Sequence, residues 1–396
     1  MAPDIQAEII SGRLRTKNVK LAIARQQLTT DQKNFKVYHI GTRSFIESNE
    51  FVNIFEMVEN NQRSYYYELF GQGATIVPRQ FWFIDIIPPP ARIGMNPNKL
   101  NIRTSTRAQD LAKKGYTDVE VSGQVESQFA FQAVTGSELL PFGHLEYPLC
   151  VLPIEESSGK YRIIKSEEAF TRGYRGLKEW LTTVEGIWNS KRGEKAEKSD
   201  VYDWLNYSHK LTEQNPRTRF KVLYNASGKY LVACVIANVS DEVGRDGVRI
   251  RTQGVIADHK VYYWDTDNED EVYYISAFLN APIIDRLIKP LQSVGALGER
   301  DIHKKVLELP IPRYDEHNRI HLELSEIAKD CQTQVSTLAT SLAQRYHSVG
   351  KIRQEIKRAL SSQLTRVNSL ALQALNATRT EPIQTRLADD SPPRTA

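Results

Sequence analysis

The sequence predicts a mixed α+β protein: a body of strands with inserted helices, followed by a long two-helix segment. Three observations carry this. TIVPRQFWFIDIIPPP (75–90) and FKVLYNASGKYLVACVIANV (220–239) are dense in β-branched and aromatic residues and are bounded or split by Pro, Asn and Gly. Residues 166–193 repeat Leu177, Leu181, Val184 and Trp188 at helical spacing. After Pro312 two stripes recur at three- and four-residue steps, Leu324–Ile327–Cys331–Val335–Leu338–Leu342 and Ile352–Ile356–Leu360–Leu364–Val367–Leu370.

Residues 1–35 are polar and mildly basic and read as a lead-in helix or linker. The body spans 36–315, with strand regions at 70–154 and 220–312 and a helical insert at 166–210. In the first strand region, 75–87 reads as a buried strand stopped by three prolines, and GQG (71–73) as a tight turn before it. Residues 91–118 are basic and poor in apolar side chains, and read as a long loop or an insertion between strands. QFAFQAVTGSELLPFGHLEYPLCVLPI (128–154) returns to strand character. In the second region, 220–239 reads as a hairpin turning at Asn225–Gly228, and VRIRTQGVIADHKVYYW (248–264) as further strand. Residues 265–293 shift to helix, and GALGERDIHKKVLELPIP (295–312) reads as a turn feeding a strand that ends at Pro310 and Pro312. Residues 316–378 form two helices joined near Gly350, whose stripes need a partner: each other, the preceding body or another chain. Residues 379–396 read as a disordered tail.

The chain has 396 residues, net charge +4 and a pI near 8.7. Cys150, Cys234 and Cys331 lie far apart with no CxxC pair, which argues against a disulfide framework and a cysteine zinc site and for a reducing, cytoplasmic setting. No stretch approaches the length of a membrane span. Basic residues cluster at 92–114 and 160–178, either as phosphate contacts or as solvated faces.

Catalytic motifs are missing. There is no P-loop, GxSxG or HExxH; His317 and His321 are four apart but have no third ligand nearby. Asp301 and His303 would share a strand face as an acid–base pair, but no nucleophile accompanies them. Trp180, Trp188, Trp204 and the Tyr262–Tyr263–Trp264 run read mainly as core, the alternative being stacking platforms.

Several segments, in order, carry a resemblance. GATIVPRQFWF, LLPF with VLPI, DWLNYSHKLTEQNPRTRFKVLYNASGKYLVACVI, QGVIADHKVYYW, EVYYISAFLNAPIIDRLIKPLQSVGALGERDIHKKVLELPIP and HLELSEIAKDCQTQV together resemble the C-terminal part of adenine-specific DNA methyltransferases. These belong to restriction–modification and phage-defence systems, and this part contains their target-recognition domain. The resemblance covers residues 40–375. That family catalyses with an (Asn/Asp/Ser)-Pro-Pro-(Tyr/Phe) motif, which holds a flipped adenine. The nearest string here, IIPPPARIG (86–94), lacks its polar and aromatic members, and no glycine-rich cofactor loop follows a first strand.

The resemblance therefore implies the sequence-specific recognition part of such an enzyme, with no catalytic, cofactor or metal residue of its own. It implies three partners or ligands elsewhere: double-stranded DNA, S-adenosylmethionine on a catalytic domain or partner subunit, and that methyltransferase unit itself. The strand–ELPIP–helix order also resembles a type I specificity subunit, in which terminal helices dock protein partners. A non-catalytic scaffold is the third alternative. Candidate DNA contacts are Arg79, Arg103, Arg107, Arg249, Arg251, His259, Lys260, Arg300, His303, Lys304 and Lys305. For Arg79 a structural salt bridge is the alternative, and Arg300 is an alternative structural partner of Asp301.

Overall fold

The computed structural model describes residues 4–12, 19–40, 43–48, 52–60, 62–88, 98–237, 242–245, 248–292, 294–295, 298–299 and 301–377. The fold is mixed α+β, as the residue patterns predict. No helix among the described residues is long and apolar enough to cross a membrane.

Residues 1–35 depart from the lead-in helix. Asp4–Ser11, Thr29–Ile40 and Arg43–Ser48 form an antiparallel three-stranded sheet, and only Leu21–Gln27 is helical. The strand signal is the two-residue alternation of Ile5 and Ala7 with Gln6 and Glu8, which the polar composition hides. Gln6 Nε2 donates to Gln32 Oε1 across the pair at 3.1 Å.

Two sheets organise the rest. A six-stranded sheet runs in the order Val255–Ala257, Ala130–Val134, Leu149–Val151, Phe83–Ile86, Lys99–Thr104, Ser122–Glu126. Every pairing is antiparallel except Val255–Ala257 on Ala130–Val134. The helix Arg175–Lys191 covers the far strand with Leu177, Trp180, Leu181, Val184 and Trp188. Each of these side chains contributes roughly 2 kcal/mol relative to exposure. Gly176 is required at the contact, because a Cβ there would lie 2.5 Å from the Gln124 carbonyl oxygen.

The second sheet is antiparallel, ordered Ala233–Ala237, Phe220–Asn225, Val261–Thr266, Gly71–Gln72. The hairpin read from 220–239 is its centre, and Asn225 builds the turn by donating to the Ser227 and Tyr230 carbonyls. The helix Glu269–Asn280, buried from Val272 to Asn280, packs on this sheet.

Four local expectations are corrected. Within 75–87 only Phe83–Ile86 is strand; Arg79–Trp82 after Pro78 is a helical turn. Within 91–118, residues 91–97 lie outside the described residues. The remainder is not a plain loop but the strand Lys99–Thr104 and the turn Thr106–Asp110, because Leu100, Ile102 and Thr104 alternate inward. His303–Glu308 is a 3-10 helix rather than a strand, entered at His303 with φ 42° and burying Val306 and Leu307. The C-terminal segment is three helices, Arg319–Arg345, Val349–Ala359 and Ser361–Ala377, and Gly350 lies inside the second. Their stripes pack on one another, on Glu269–Asn280 and on Pro282–Ile288, in one core with the second sheet. The apolar stripe that suggested a helix-mediated protein partner is thus covered by this chain.

Candidate nucleic-acid interface

The two sheets meet where Val255–Ala257 of the first passes into Val261–Thr266 of the second, through the turn 258–260. Gln214 seals the first of these strands, since its Oε1 accepts from Ala257 N at 2.7 Å and its Nε2 donates to Ala257 O at 3.0 Å. Gly73 allows a second segment to reach the turn: a Cβ there would lie 2.3 Å from the Ala257 carbonyl oxygen. GQG is a close-packing element here, and backbone bonds from Ala74 N to Ala257 O and from His259 N to Ala74 O complete the junction.

Asp258 is 0% exposed. Its Oδ1 accepts from Lys260 N at 3.0 Å and faces Arg79 Nη2 at 3.6 Å and His259 Nδ1 at 3.1 Å. Arg79 also lies over the Phe83 ring at 5.2 Å. The carboxylate thus draws Arg79, His259 and Lys260 to one place, although they are read from two distant segments. For Arg79, the salt bridge weighed from the sequence is present.

These three residues form one wall of a cleft of about 710 Å³. The end of the helical insert supplies Trp188, Lys191, Arg192 and Trp204, and the segment after Thr106–Asp110 supplies Lys113 and Tyr116. Among the described residues no carboxylate lines the cleft. Its cations are held differently. Lys191 is paired with Asp118 at 2.8 Å, and Arg192 Nη1 donates to Ser199 O at 3.1 Å. The Lys191 ammonium in turn holds the Asp118 carboxyl below its ordinary pKa. The side chains of Lys113 and Lys260 make no ion pair among the described residues, and so remain available to an incoming anion.

The basic surface continues in two directions. On one side Arg79 and Arg107 share a small crevice with Ser105 and Pro148. Arg107 Nη2 pairs with Glu138 Oε1 at 2.7 Å and donates to Ser137 Oγ at 2.9 Å. Arg103 is exposed on Lys99–Thr104. On the other side a single residue, Ala226, links two candidates: its N donates to Lys260 O at 2.8 Å, and its O accepts from His303 N at 2.9 Å. Two strand-like spacings separate Lys260 from His303, about 10 Å.

His303 is exposed, with Nε2 3.9 Å from Asp301 Oδ1. Lys304 is occupied: its Nζ donates to Tyr67 O at 2.7 Å and sits 4.8 Å from the Tyr67 ring centroid. Lys305 is half-buried beside it. Arg249 and Arg251 stand on a separate hairpin, Glu242–Arg245 with Val248–Arg251, where Glu242 is opposite Arg251 in register. Arg300 lies outside the described residues.

Three cations of the basic cluster 160–178 are consumed internally, while Lys160 and Arg175 stay exposed. Arg162 bonds Glu155 and Glu168, Arg172 bonds the same two carboxylates, and Lys165 bonds Asp200 at 2.6 Å. Arg162 accordingly holds the Glu168 carboxyl below its ordinary pKa. Trp180 and Trp188 are core, as the helical spacing suggests, but Trp204 is 41% exposed in the cleft wall. Lys191 and Arg192 were not among the candidates from sequence, where Trp204 stood only as the alternative stacking platform. The available signal was the charged break KRGEKAEKSD immediately after an amphipathic helix.

The chemistry of the remaining reactive groups is quiet. All three cysteines are buried and free, and burial pushes the Cys234 and Cys331 thiols up to about 12, far from a nucleophile's range. His321 is buried, accepting from Asp315 N at 3.0 Å through Nδ1, while His317 is exposed. The pair therefore does not converge on a common point.

No protein-family profile matches the chain, and no curated protein matches it. Solved structures do. The type IIL restriction–modification enzyme MmeI, in complex with DNA, matches over 81% of this chain and 33% of its own, at 10% identity and a TM-score of 0.43. The type IIG restriction endonuclease BpuSI matches over 84% of this chain and 35% of its own, at 13% identity and a TM-score of 0.32. The chain spans about a third of the length of each.

Proposed function

We propose that this chain is the DNA-recognition part of an adenine-specific DNA methyltransferase of the restriction–modification or phage-defence type. It positions duplex DNA for methyl transfer from S-adenosylmethionine, which a catalytic domain or partner subunit carries. The observation that supports this best is the cleft free of lining carboxylates at the sheet junction, where Arg79, His259 and Lys260 meet Lys113 and Arg192. A surface of this composition suits a polyanion: unpaired lysines neutralise phosphates and release counterions, which favours binding without regard to sequence. In this reading exposed side chains outside the cleft, such as Arg103 and His303, add base-edge or further phosphate contacts. The ordered resemblance of residues 40–375 to the recognition region of these enzymes supplies the reaction class.

In this reading Lys113 and Lys260 grip phosphate, while Arg192 contributes its remaining N–H groups from a fixed position. Arg79 acts through Asp258 as a scaffold for the turn as much as a contact. The test is methylation of genomic DNA by this chain together with the product of its neighbouring reading frame, read by position. The reading expects adenine methylation at one defined sequence only when both are present. Methylation by the catalytic unit alone at the same sites would refute it.

A further inference from the structure

The cleft has features that phosphate binding along a duplex does not need. It is a concavity of about 710 Å³, within the size range of small-molecule sites and too small for a duplex to enter. One wall is an indole. Trp204 is 41% exposed, although Trp188 behind it is only 5% exposed. The two ring centroids are 6.2 Å apart, and Trp188 is pinned by its Nε1 donating to Ser199 O at 3.3 Å. Trp204 is therefore a bare aromatic face on a fixed backing. Tyr116 is a second ring in the lining, held edge-on against Phe81 at 5.8 Å. Lys113, Lys260 and Arg192 complete the lining with positive charge and make no ion pair among the described residues.

An aromatic face beside unpaired cations in a pocket of this size matches a nucleotide: a base to stack and a phosphate to neutralise. We propose, resting on the DNA-binding reading above and deepening it, that the cleft takes one unstacked nucleotide of the bound DNA. Its base lies on Trp204, and its phosphate is held by Lys113, Lys260 and Arg192. The surface beyond the cleft favours a nucleotide still joined to a strand over a free one. Half-exposed Arg107 on one side, and exposed His303 beyond Ala226 on the other, offer N–H donors to flanking phosphates.

The experiment compares two DNAs of the same sequence, a fully paired duplex and one with a single-nucleotide bulge, binding to the full chain. A bulged base is already unstacked, so the bulged DNA is expected to bind about tenfold tighter. Trp204→Ala should bring the affinity ratio to about one, and Trp204→Phe, which keeps a ring, should retain most of it. Tryptophan emission should be quenched by the bulged DNA in the unsubstituted chain. Equal affinity for both DNAs would overturn the nucleotide proposal and leave the DNA-binding reading standing. Binding to neither would overturn both. A bulge preference that survives in Trp204→Ala would also overturn the proposal. If Trp204→Ala is unfolded by circular dichroism, loss of the ratio in Lys113→Ala with Lys260→Ala decides in its favour, and retention decides against.

Discussion

Replacing Arg353 by Ala should loosen the turn that orients Arg107, one edge of the basic surface. Arg353 lies on the helix Val349–Ala359, yet its guanidinium reaches the first sheet's connections. Its Nε donates to Leu139 O at 2.9 Å and its Nη2 to Gly136 O at 2.7 Å. Between these two carbonyls sits Glu138, 1% exposed, which accepts from Thr135 N at 2.8 Å and pairs with Arg107. Hydrogen bonds from a charged donor contribute about 1.5–3 kcal/mol each, and loss of two is partly offset because the guanidinium no longer has to be desolvated. The net destabilisation is therefore about 3 kcal/mol. Urea unfolding followed by tryptophan fluorescence measures it as a lower midpoint with an unchanged slope. Arg353→Lys retains the charge but cannot span both carbonyls, and should recover less than half of the loss. A change below about 1 kcal/mol in Arg353→Ala would refute the clamp, because solvent would then already satisfy those carbonyls.

Other perturbations follow from named contacts. Lys221 is fully buried, bonded to Asp265 at 2.5 Å and lying 4.4 Å from the Tyr263 ring centroid. Lys221→Ala should cost about 3 kcal/mol in denaturation, and Lys221→Met with Asp265→Leu should recover most of it; no recovery would contradict the account. Gly176→Ala should destabilise by about 2 kcal/mol or more, since the new Cβ meets Gln124 backbone, and a neutral result in thermal melts would be incompatible with the packing. Burial holds the His321 imidazole below its ordinary 6.5, so the unfolded chain takes up a proton first. Its contribution is present above pH 6.5 and is lost as pH falls through it toward the depressed folded value. The melting temperature should drop less between pH 7 and 5 in His321→Gln than in the unsubstituted chain; an identical drop would exclude His321 as a cause.

Local pattern made much of the fold legible. The 220–239 hairpin announced itself through dense β-branched and aromatic residues around Asn225–Gly228, and the insert helix through Leu177, Leu181, Val184 and Trp188. The N-terminal strands were not legible as such, because an exposed sheet gives alternation without a hydrophobic run. The prolines and His303 misled in 295–312, where a positive φ and two backbone bonds to Ala226 set a 3-10 turn instead.

The candidate site was legible only in fragments. Arg79, His259 and Lys260 were singled out separately, but nothing in one dimension shows that a buried Asp258 gathers them. Nor does the sequence reveal that Arg162, Lys165 and Arg172 already have carboxylate partners, while Lys113 and Lys260 have none among the described residues. Clusters of charge look alike in sequence, and only pairing in space separates a structural network from a surface free to meet phosphate.

The central claim is tested most directly by the salt dependence of duplex binding by the full chain, with and without Lys113→Ala, Lys260→Ala and Arg192→Ala combined. Each lost phosphate contact should reduce the magnitude of the slope of log K against log salt by about 0.9, so the triple substitution should flatten it by about 2.7 while weakening binding to all sequences. Absence of salt-dependent binding, or an unchanged slope in the triple variant, would contradict the account.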